Sequence, residues 1–439
     1  MKQPLVGANA LKQAFPQMPV GEEFQGFFDS SATKGDRFAV LVIRIDDFDR
    51  TLKQLGEDIT SGVVVRLARI IDGLSKTRSI EWGRLDQKRF ACFCPDTDEE
   101  ASVQLAKEIQ RRLALVGEET VSVGVAVHPF WPFEKMTILD NAQKALDHAV
   151  FFGPNTVTPF DAVSLNISAD KLYQYGDIDG AIEEFRRALA VDLQNVNVRN
   201  SLGVCYGVQG KLDLAIDAFE TAIRLDPEDV MATYNLGLAH FKQGDGQKAL
   251  SLFLKAHSLD GDNPEVAYQI AVCYREKDQT EAALEYLAKA AQNTRKGGHI
   301  FQALGECYLE KEMLKEAAKA YEKAIRHNPT DPKSLSDLGH LYGALGENME
   351  IAIVLCREST RIDPNNGLYR YRLGKLYLQS KDYENALEQL KMAAELGEDC
   401  SDLIREVIGA TLCRPANDFG RGKLAPTAAK ARKQTNLTQ

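Results

Sequence analysis

Two cysteines in one predicted strand are the first residues whose type and spacing suggest chemistry. Cys92 and Cys94 form a Cys-x-Cys pair within residues 89–95. Because side chains alternate along a strand, both thiols should face the same side. A zinc site needs a second ligand pair, and no further cysteines or histidines follow at the required spacing. The seven histidines also form no pair at ligand spacing. The sequence therefore predicts no metal site and no cofactor.

Three other cysteines recur at one phase of an internal repeat. Cys205, Cys273 and Cys307 occupy the same position in three repeats, each directly before a tyrosine. Free cysteine behaves as a small apolar residue and is usually buried. We interpret these thiols as structural residues inside the first helix of their repeats.

The repeat itself has a period of 34 residues. A small residue recurs at this spacing, with a last interval of 35 residues: Gly203, Gly237, Ala271, Gly305, Gly339 and Gly374. Two-helix units of this length cannot bury their apolar faces alone and must stack on one another. We count seven units over residues 162–400, starting near Ala162, Val196, Val230, Pro264, Gly298, Pro332 and Gly367. A capping helix is expected at 401–413.

These units resemble tetratricopeptide (TPR) repeats, as in SLGVCYGVQGKLDLAIDAFETAIRLDP and ALGECYLEKEMLKEAAKAYEKAIRHNP. The resemblance implies an all-α superhelical solenoid whose first helices line a groove for a protein or peptide partner. The repeat phase gives these groove candidates: Asn200, Tyr234, Asn235, Tyr268, Arg275, Gln302, Glu306, His340, Tyr371 and Lys375.

One TPR subfamily holds terminal carboxylates in a clamp of lysine, arginine and asparagine residues. Asn235 matches the middle requirement of that clamp. The flanking repeats offer Asn200 with Val204, and Glu265 with Gln269, where the clamp needs other residues. Binding of chaperone tails is therefore not expected.

A different domain precedes the repeats, over residues 20–160. Strands are predicted at 38–45, 79–85, 89–95, 121–127 and 156–160, with helices at 61–76, 98–116 and 138–151. This β-α-β-β-α-β-α-β order indicates an α+β domain with a mostly antiparallel sheet. Residues 1–19 show no period, so we expect a loosely ordered lead. No linker follows residue 160, so we expect fixed packing against the repeats.

Three segments of this domain resemble the GGDEF domain of diguanylate cyclases: IRIDDFDRTLKQLG, VSVGVAV and ILDNAQKALDHAVFFGPNTV. Such a cyclase joins two GTP molecules with the help of divalent metal held by carboxylates. The resemblance places Arg44 at the first metal-binding aspartate. It places Asp86-Gln87-Lys88-Arg89-Phe90 at the signature hairpin, so Lys88 and Arg89 replace the acidic pair. Leu52 and Ser61 stand at the guanine-reading positions.

Cations at these positions would repel a divalent metal ion. We therefore expect no enzyme activity from a degenerate GGDEF-like domain that acts as a structural or dimerising module. A second hypothesis is that Arg44, Lys88 and Arg89 form an anion pocket for GTP or cyclic di-GMP, which regulates partner binding. An active diguanylate cyclase is the least favoured reading.

Net charge and hydropathy argue against further classes of protein. The net charge of -10 argues against general nucleic-acid binding by the body of the protein. No apolar run is long enough for a membrane span, and the first residues lack the core of a signal peptide, so we expect a cytoplasmic protein.

Residues 414–439 carry six basic residues against Asp418. They predict a disordered basic tail, either solubilising or in contact with an anionic partner such as RNA or lipid. The sequence thus predicts a bacterial-type adaptor for signalling or envelope assembly.

Overall fold

The computed structural model describes residues 5–294 and 297–412. The predicted basic tail and the last residue of the predicted cap lie outside the described residues. By its internal contacts the chain divides into two compact units, Met1–Leu259 and Asp260–Gln439.

The described part of the first 160 residues is a five-stranded sheet with helices on both faces. The bounds are α1 Ala8–Ala14, α2 Glu22–Lys34, β1 Phe38–Ile45, α3 Phe48–Ser75, β2 Glu81–Arg84, β3 Arg89–Pro95, α4 Glu99–Ala114, β4 Val121–His128, α5 Ile138–Phe152 and β5 Val157–Pro159.

The strand order in the sheet is β2-β3-β1-β4-β5. β1 is antiparallel to both β3 and β4, whereas β4 and β5 are parallel. The predicted α+β order and the mostly antiparallel sheet are confirmed. The central strand β1 is buried on both faces because its neighbouring residues point in opposite directions. Val40 and Val42 pack toward α2 and α5, while Leu41 and Ile43 pack toward α3 and α4.

The lead before the sheet is more ordered than expected. It contains α1, whose Leu11 is 1% exposed and joins the core on the α3 side of the sheet. The ring of Phe15 meets Trp82 edge to face, with ring centroids 5.2 Å apart. The expectation of a loosely ordered lead is therefore wrong for the residues that the structure describes. A second difference is that α3 begins at Phe48, ahead of the predicted 61–76, and tolerates a break at Gly56 with a φ of 85°.

The rest of the described chain consists of helices. The bounds are α6 Ala162–Gln174, α7 Ile178–Val191, α8 Val196–Val208, α9 Leu212–Leu225, α10 Val230–Lys242, α11 Gly246–Leu259, α12 Pro264–Arg275, α13 Thr280–Asn293, α14 Gly298–Glu310, α15 Leu314–His327, α16 Pro332–Leu345, α17 Met349–Ile362, α18 Gly367–Gln379, α19 Tyr383–Glu395 and α20 Ser401–Leu412.

The helices α6 to α19 form seven hairpins, and each begins at the residue that the repeat period predicts. The small residues of the period sit where two helices touch. A Cβ atom added to Gly203 would lie 2.5 Å from the Phe219 ring, and one added to Gly305 would lie 2.7 Å from the Tyr321 ring. Glycine therefore sets the helix separation. The repeat cysteines are buried, as interpreted from the sequence.

Within the first unit, α5 packs directly on the first repeat. Leu165 and Ala169 of α6 belong to the same buried cluster as Ala145 and Leu146 of α5. The helix α6 starts at once after the sheet domain, where Asp161 caps it by accepting a hydrogen bond from the Ser164 N–H at 2.8 Å. This contact agrees with the fixed packing expected from the missing linker.

A buried ion-pair cluster crosses this junction, and we call it the junction cluster. The Lys144 ammonium lies 3.0 Å from Glu184 Oε1 of α7 and 2.8 Å from Asp140 Oδ2. Arg187 reaches the same Glu184 oxygen at 3.1 Å. The side chains of Lys144 and Glu184 are 10% and 9% exposed. Charges this buried must be paired, so the cluster fixes how α5 meets α7.

Candidate functional site

The hairpin turn between β2 and β3 is closed by its own carboxylate. Asp86 Oδ1 accepts hydrogen bonds from the backbone N–H groups of Lys88 and Arg89, at 3.0 and 2.9 Å. Its Oδ2 accepts from Arg89 Nε at 2.6 Å. Burial by itself raises the pKa of Asp86, but the bonds from Arg89 and from the two N–H groups outweigh it, so the pKa lies below its usual range. The N–H groups of Lys88 and Arg89 are thus already used and are not available to an anion.

The three predicted cations do not converge on one pocket. Arg44 and Arg89 are neighbours across the β1–β3 ladder and share the α5 face of the sheet. Arg89 Nη1 donates to Gln143 Oε1 of α5 at 2.5 Å. Lys88 instead pairs with Asp49 of α3 at 2.8 Å, on the opposite side of the sheet. The Nε of Arg44 is buried without a hydrogen-bond partner among the described residues.

A buried arginine supports the turn from inside. Arg84 is 1% exposed and donates to three backbone carbonyls: Asp86 at 2.8 Å, Val6 at 2.9 Å and Gln87 at 2.6 Å. Desolvation lowers its pKa to about 10, despite the opposing charge of Asp86. The side chain of Arg84 thus ties the hairpin turn to the N-terminal segment.

The donor set at this turn does not fit a divalent cation. Arg44 stands where the resemblance expects a metal-binding aspartate. Asp46, the first residue after β1, already accepts hydrogen bonds from the Thr120 and Ser122 hydroxyls and the Asn155 N–H, each at 2.8 Å. Within the described ranges, no group of three or more His, Cys, Asp or Glu side chains is placed to hold a metal ion. Hard cations need several free oxygen ligands.

In the repeats of the first unit, the structure brings two groove candidates together. Asn235 of α10 donates to Asn200 Oδ1 of α8 at 2.9 Å, which links the first helices of neighbouring repeats. Tyr234 packs its ring against Phe253, with centroids 5.7 Å apart. The amide pair therefore lies on the surface shared by α8 and α10, and Tyr234 contributes to packing within its own repeat.

In the second unit, ion pairs connect the first helices of successive repeats. Arg275 of α12 binds Glu306 of α14 at 2.5 Å and Glu310 at 2.9 Å. Lys333 of α16 also pairs with Glu306. Burial alone would lower the pKa of Arg275, but the carboxylates of Glu310 and Glu306 raise it above its ordinary value. These charges stabilise the stacking of repeats and are balanced by one another.

A further ion pair joins α16 to α18. Arg372 lies 2.6 Å from Asp337 Oδ1 and 3.0 Å from Ser336 Oγ, and Asp337 is 5% exposed. Next to this pair, His340 and Lys375 line the same small cavity. They are the two predicted groove residues that the structure places together at this end of the second unit.

The other groove candidates differ in their contacts. Tyr268 meets the His299 ring at a centroid distance of 4.7 Å. Tyr371 packs against the apolar cluster of the last repeat and cap. Gln302 is half-buried on α14. These three side chains stay groove candidates by repeat phase alone.

Sequence reasoning missed several residues that shape these sites. Asp337 and Arg372 lie 35 residues apart, one repeat plus the slip, so comparing charges at equal repeat phase would have found the pair. The bonds of Asp86 to the two N–H groups that follow it are a local turn pattern that could also be read from sequence. Gln143 gave no signal, since it lies 54 residues from Arg89.

Comparison with known proteins gives matches over both parts of the chain. A family model described as "Diguanylate cyclase, GGDEF domain" matches residues 22–150. Tetratricopeptide repeat models match 168–219, 206–264, 240–307, 299–331, 320–352 and 369–399. In the described part of the chain, no helix is long and apolar enough to cross a membrane.

Individual relatives cover limited parts of the chain. The "Protein CTR9 homolog" of Arabidopsis thaliana is 38% identical over 76 residues, which is 17% of this chain and 7% of that protein. The structure of Pseudomonas aeruginosa pilF is 19% identical, covers 49% of this chain and 96% of its own, and has a TM-score of 0.44. YrrB, titled "a TPR protein with an unusual peptide-binding site", is 21% identical and covers 45% of this chain and 97% of its own, with a TM-score of 0.37.

The fold and the family-model matches define a helical-repeat protein with an N-terminal α+β domain. More specifically, the chain carries a GGDEF domain at residues 22–150, followed by tetratricopeptide repeats between residues 168 and 399. The family resemblances inferred from the sequence are confirmed.

Proposed function

We propose that this protein is a non-catalytic adaptor, a signalling scaffold that binds a protein or peptide in its TPR groove. Its GGDEF domain does not turn over GTP. The observation that carries the second statement is the Asp86 network, because the carboxylate of the turn binds the turn's own N–H groups. The positive charges of Arg44, Lys88 and Arg89 also disfavour turnover, because they would repel the divalent metal ion that catalysis needs.

The physical reason lies in what phosphoryl transfer requires. The protein must position the triphosphate and neutralise the charge that develops on its oxygens, chiefly with divalent metal. Here, the acidic positions are cationic, and Asp46 already accepts three hydrogen bonds. Restoring one ligand would leave the remaining contacts missing.

A turnover assay tests the absence of catalysis. The full chain is incubated with GTP and Mg²⁺ or Mn²⁺, with an active diguanylate cyclase assayed in parallel, and products are separated by chromatography. We expect no cyclic di-GMP from this protein. Formation of product that scales with its concentration would overturn the proposal.

A second candidate is a nucleotide-binding effector whose GGDEF domain regulates the partner groove. It is favoured by the buried Nε of Arg44, which has no hydrogen-bond partner among the described residues. Equilibrium dialysis of the full chain with GTP and with cyclic di-GMP, with and without Mg²⁺, tests it. This candidate requires binding that Arg44→Ala abolishes and Lys88→Ala retains, since Lys88 faces α3. Absence of binding at high micromolar nucleotide would eliminate it.

Partner binding is tested with substitutions that leave the fold intact. The full chain and its Asn235→Ala variant are used as baits, with Lys255→Ala, an exposed change on α11, as control. We expect specific partners to be reduced with Asn235→Ala and kept with Lys255→Ala. Equal recovery with all baits would argue against groove binding in the first unit.

A further inference from the structure

A small cavity lies between α16 and α18 in the second unit. It has a volume of about 30 Å³ and is lined by His340, Ala344, Arg372, Lys375, Leu376 and Gln379. The lining residues of α18 follow helical spacing, so they form one stripe that faces α16. A cavity of this size holds about one water-sized group.

The polar groups around this cavity are hydrogen-bond donors. Lysine and arginine only donate, and the imidazole of His340 and the amide of Gln379 each offer at least one N–H. No Asp or Glu belongs to the lining. A site that presents several donors without an acid fits an anionic oxygen.

Of the two cations that line the cavity, one has a carboxylate partner. Arg372 is neutralised by Asp337 at 2.6 Å. Lys375, in contrast, has no ion-pair or hydrogen-bond partner among the described residues, and its side chain is half-buried.

The pKa of the neighbouring histidine reflects its burial and the positive charges that line the cavity. Burial and then the charges of Arg372 and Lys375 lower the pKa of His340, with Asp337 opposing them. An unpaired lysine that lines a cavity beside a neutral imidazole attracts an anion more strongly than a fully solvated lysine does.

We propose that this cavity binds a carboxylate from an acidic peptide segment, held by Lys375 with His340 and Gln379 as further donors. The inference rests on the proposed function, because the segment lies along the groove of the second unit. The site uses residues of repeats six and seven. It contains no asparagine, unlike the clamp with which one TPR subfamily holds terminal carboxylates. Arg372, which Asp337 neutralises, forms part of its wall.

Fluorescence anisotropy with the full chain tests this site. The probes are labelled hexaglutamate with an amidated C-terminus, hexaglutamine amide, and hexaglutamine with a free C-terminus. The variants are Lys375→Gln and Lys391→Gln, an exposed lysine on α19 of the same repeat, so both lose one charge. Thermal unfolding checks that both variants fold.

We expect Lys375→Gln to weaken hexaglutamate binding about tenfold, because a charge-assisted hydrogen bond is lost. Lys391→Gln should change it less than twofold. Preference for the free C-terminus of hexaglutamine, lost in Lys375→Gln, would keep the carboxylate site and assign a terminal carboxylate to it. Equal weakening by both variants would show general charge attraction and overturn the site.

Two further outcomes separate this inference from the proposed function. If hexaglutamine amide binds and Lys375→Gln has no effect on any of the three probes, the groove stands and the carboxylate site falls. If none of the three probes binds, the carboxylate site falls, and the proposed function is decided separately by partner recovery with the full-chain bait. Inorganic phosphate that displaces hexaglutamate at equal concentration would also overturn the assignment to a carboxylate.

Discussion

The junction cluster should make the GGDEF domain and the first repeat unfold together. The informative perturbation is Glu184→Ala in α7. It removes the carboxylate that lies 3.0 Å from Lys144 of α5 and leaves the ammonium with Asp140 as its remaining partner. The change is made in the repeat, whereas the two tryptophans of the chain, Trp82 and Trp131, both lie in the sheet domain.

The magnitude follows from burial. Removing one partner of a buried ion pair costs about 3–5 kcal/mol because a charge is left uncompensated. Lys144 keeps its ion pair with Asp140, whose side chain is 62% exposed, so the charge stays partly compensated. We therefore expect a loss of about 2 kcal/mol in the free energy of unfolding. For a unit of this size, that corresponds to a decrease of roughly 4–8 °C in the unfolding temperature.

Two variants make the measurement specific. Glu183→Ala removes a neighbouring carboxylate that is 55% exposed, and it should cost less than about 0.5 kcal/mol. The double change Lys144→Met with Glu184→Leu removes both charges from the buried site. It should return stability to within about 1 kcal/mol of the wild type, because no uncompensated charge remains.

The assay compares tryptophan fluorescence with far-ultraviolet circular dichroism during unfolding. Cooperative unfolding predicts that Glu184→Ala shifts the tryptophan transition, although the substitution lies in a repeat. An unchanged tryptophan transition would refute the coupling between the domain and the first repeat. A double variant as unstable as Glu184→Ala would refute the electrostatic explanation and point to lost packing.

Three other predictions concern the helix contacts, the hairpin turn and the domain boundary. Gly203→Ala should cost about 1–3 kcal/mol, because the new Cβ would lie 2.5 Å from the Phe219 ring. Gly207→Ala, in the same helix with nothing within 4 Å of its Cβ, should instead stabilise by up to about 1 kcal/mol; equal effects in thermal unfolding would contradict this account. Asp86→Asn should cost about 1 kcal/mol at pH 7. Because the folded pKa of Asp86 lies below its usual value, this difference should shrink as the pH falls below about 4, and a constant difference across pH would argue against it. Limited proteolysis should spare residues 155–170, since the junction is packed; rapid cleavage there would show otherwise.

The sequence was sufficient for the fold wherever periodicity reports burial. The 34-residue period gave each hairpin start because small residues must recur where helices touch. Periodicity did not predict the structure of the N-terminal lead, because the described residues there are held by partners that lie far away in the sequence. Val6 is held by Arg84 and Gln87, which lie 78 and 81 residues away, and no local pattern announces such bonds.

The candidate site shows the same division between residue types and their partners. The sequence placed Arg44, Lys88 and Arg89 near one another, and the strand register does bring Arg44 beside Arg89. It did not show that Lys88 turns to Asp49 on the other side of the sheet. Strand alternation and a turn of unknown geometry do not determine the direction of the Lys88 side chain. The sequence therefore predicted one pocket for all three cations.

Partner assignment also decides which charged residues of the repeats are available to a ligand. Arg275 and Glu306 are groove candidates by repeat phase, and Arg372 lines the cavity next to His340 and Lys375. Each of the three already has an oppositely charged partner on a neighbouring repeat. Such a residue must break an ion pair before it can bind anything else, which reduces its net contribution to affinity. Lys375 needs no such exchange. The affinity of the groove for an acidic segment should therefore depend on Lys375 more than on Arg372, even though both side chains line the same cavity.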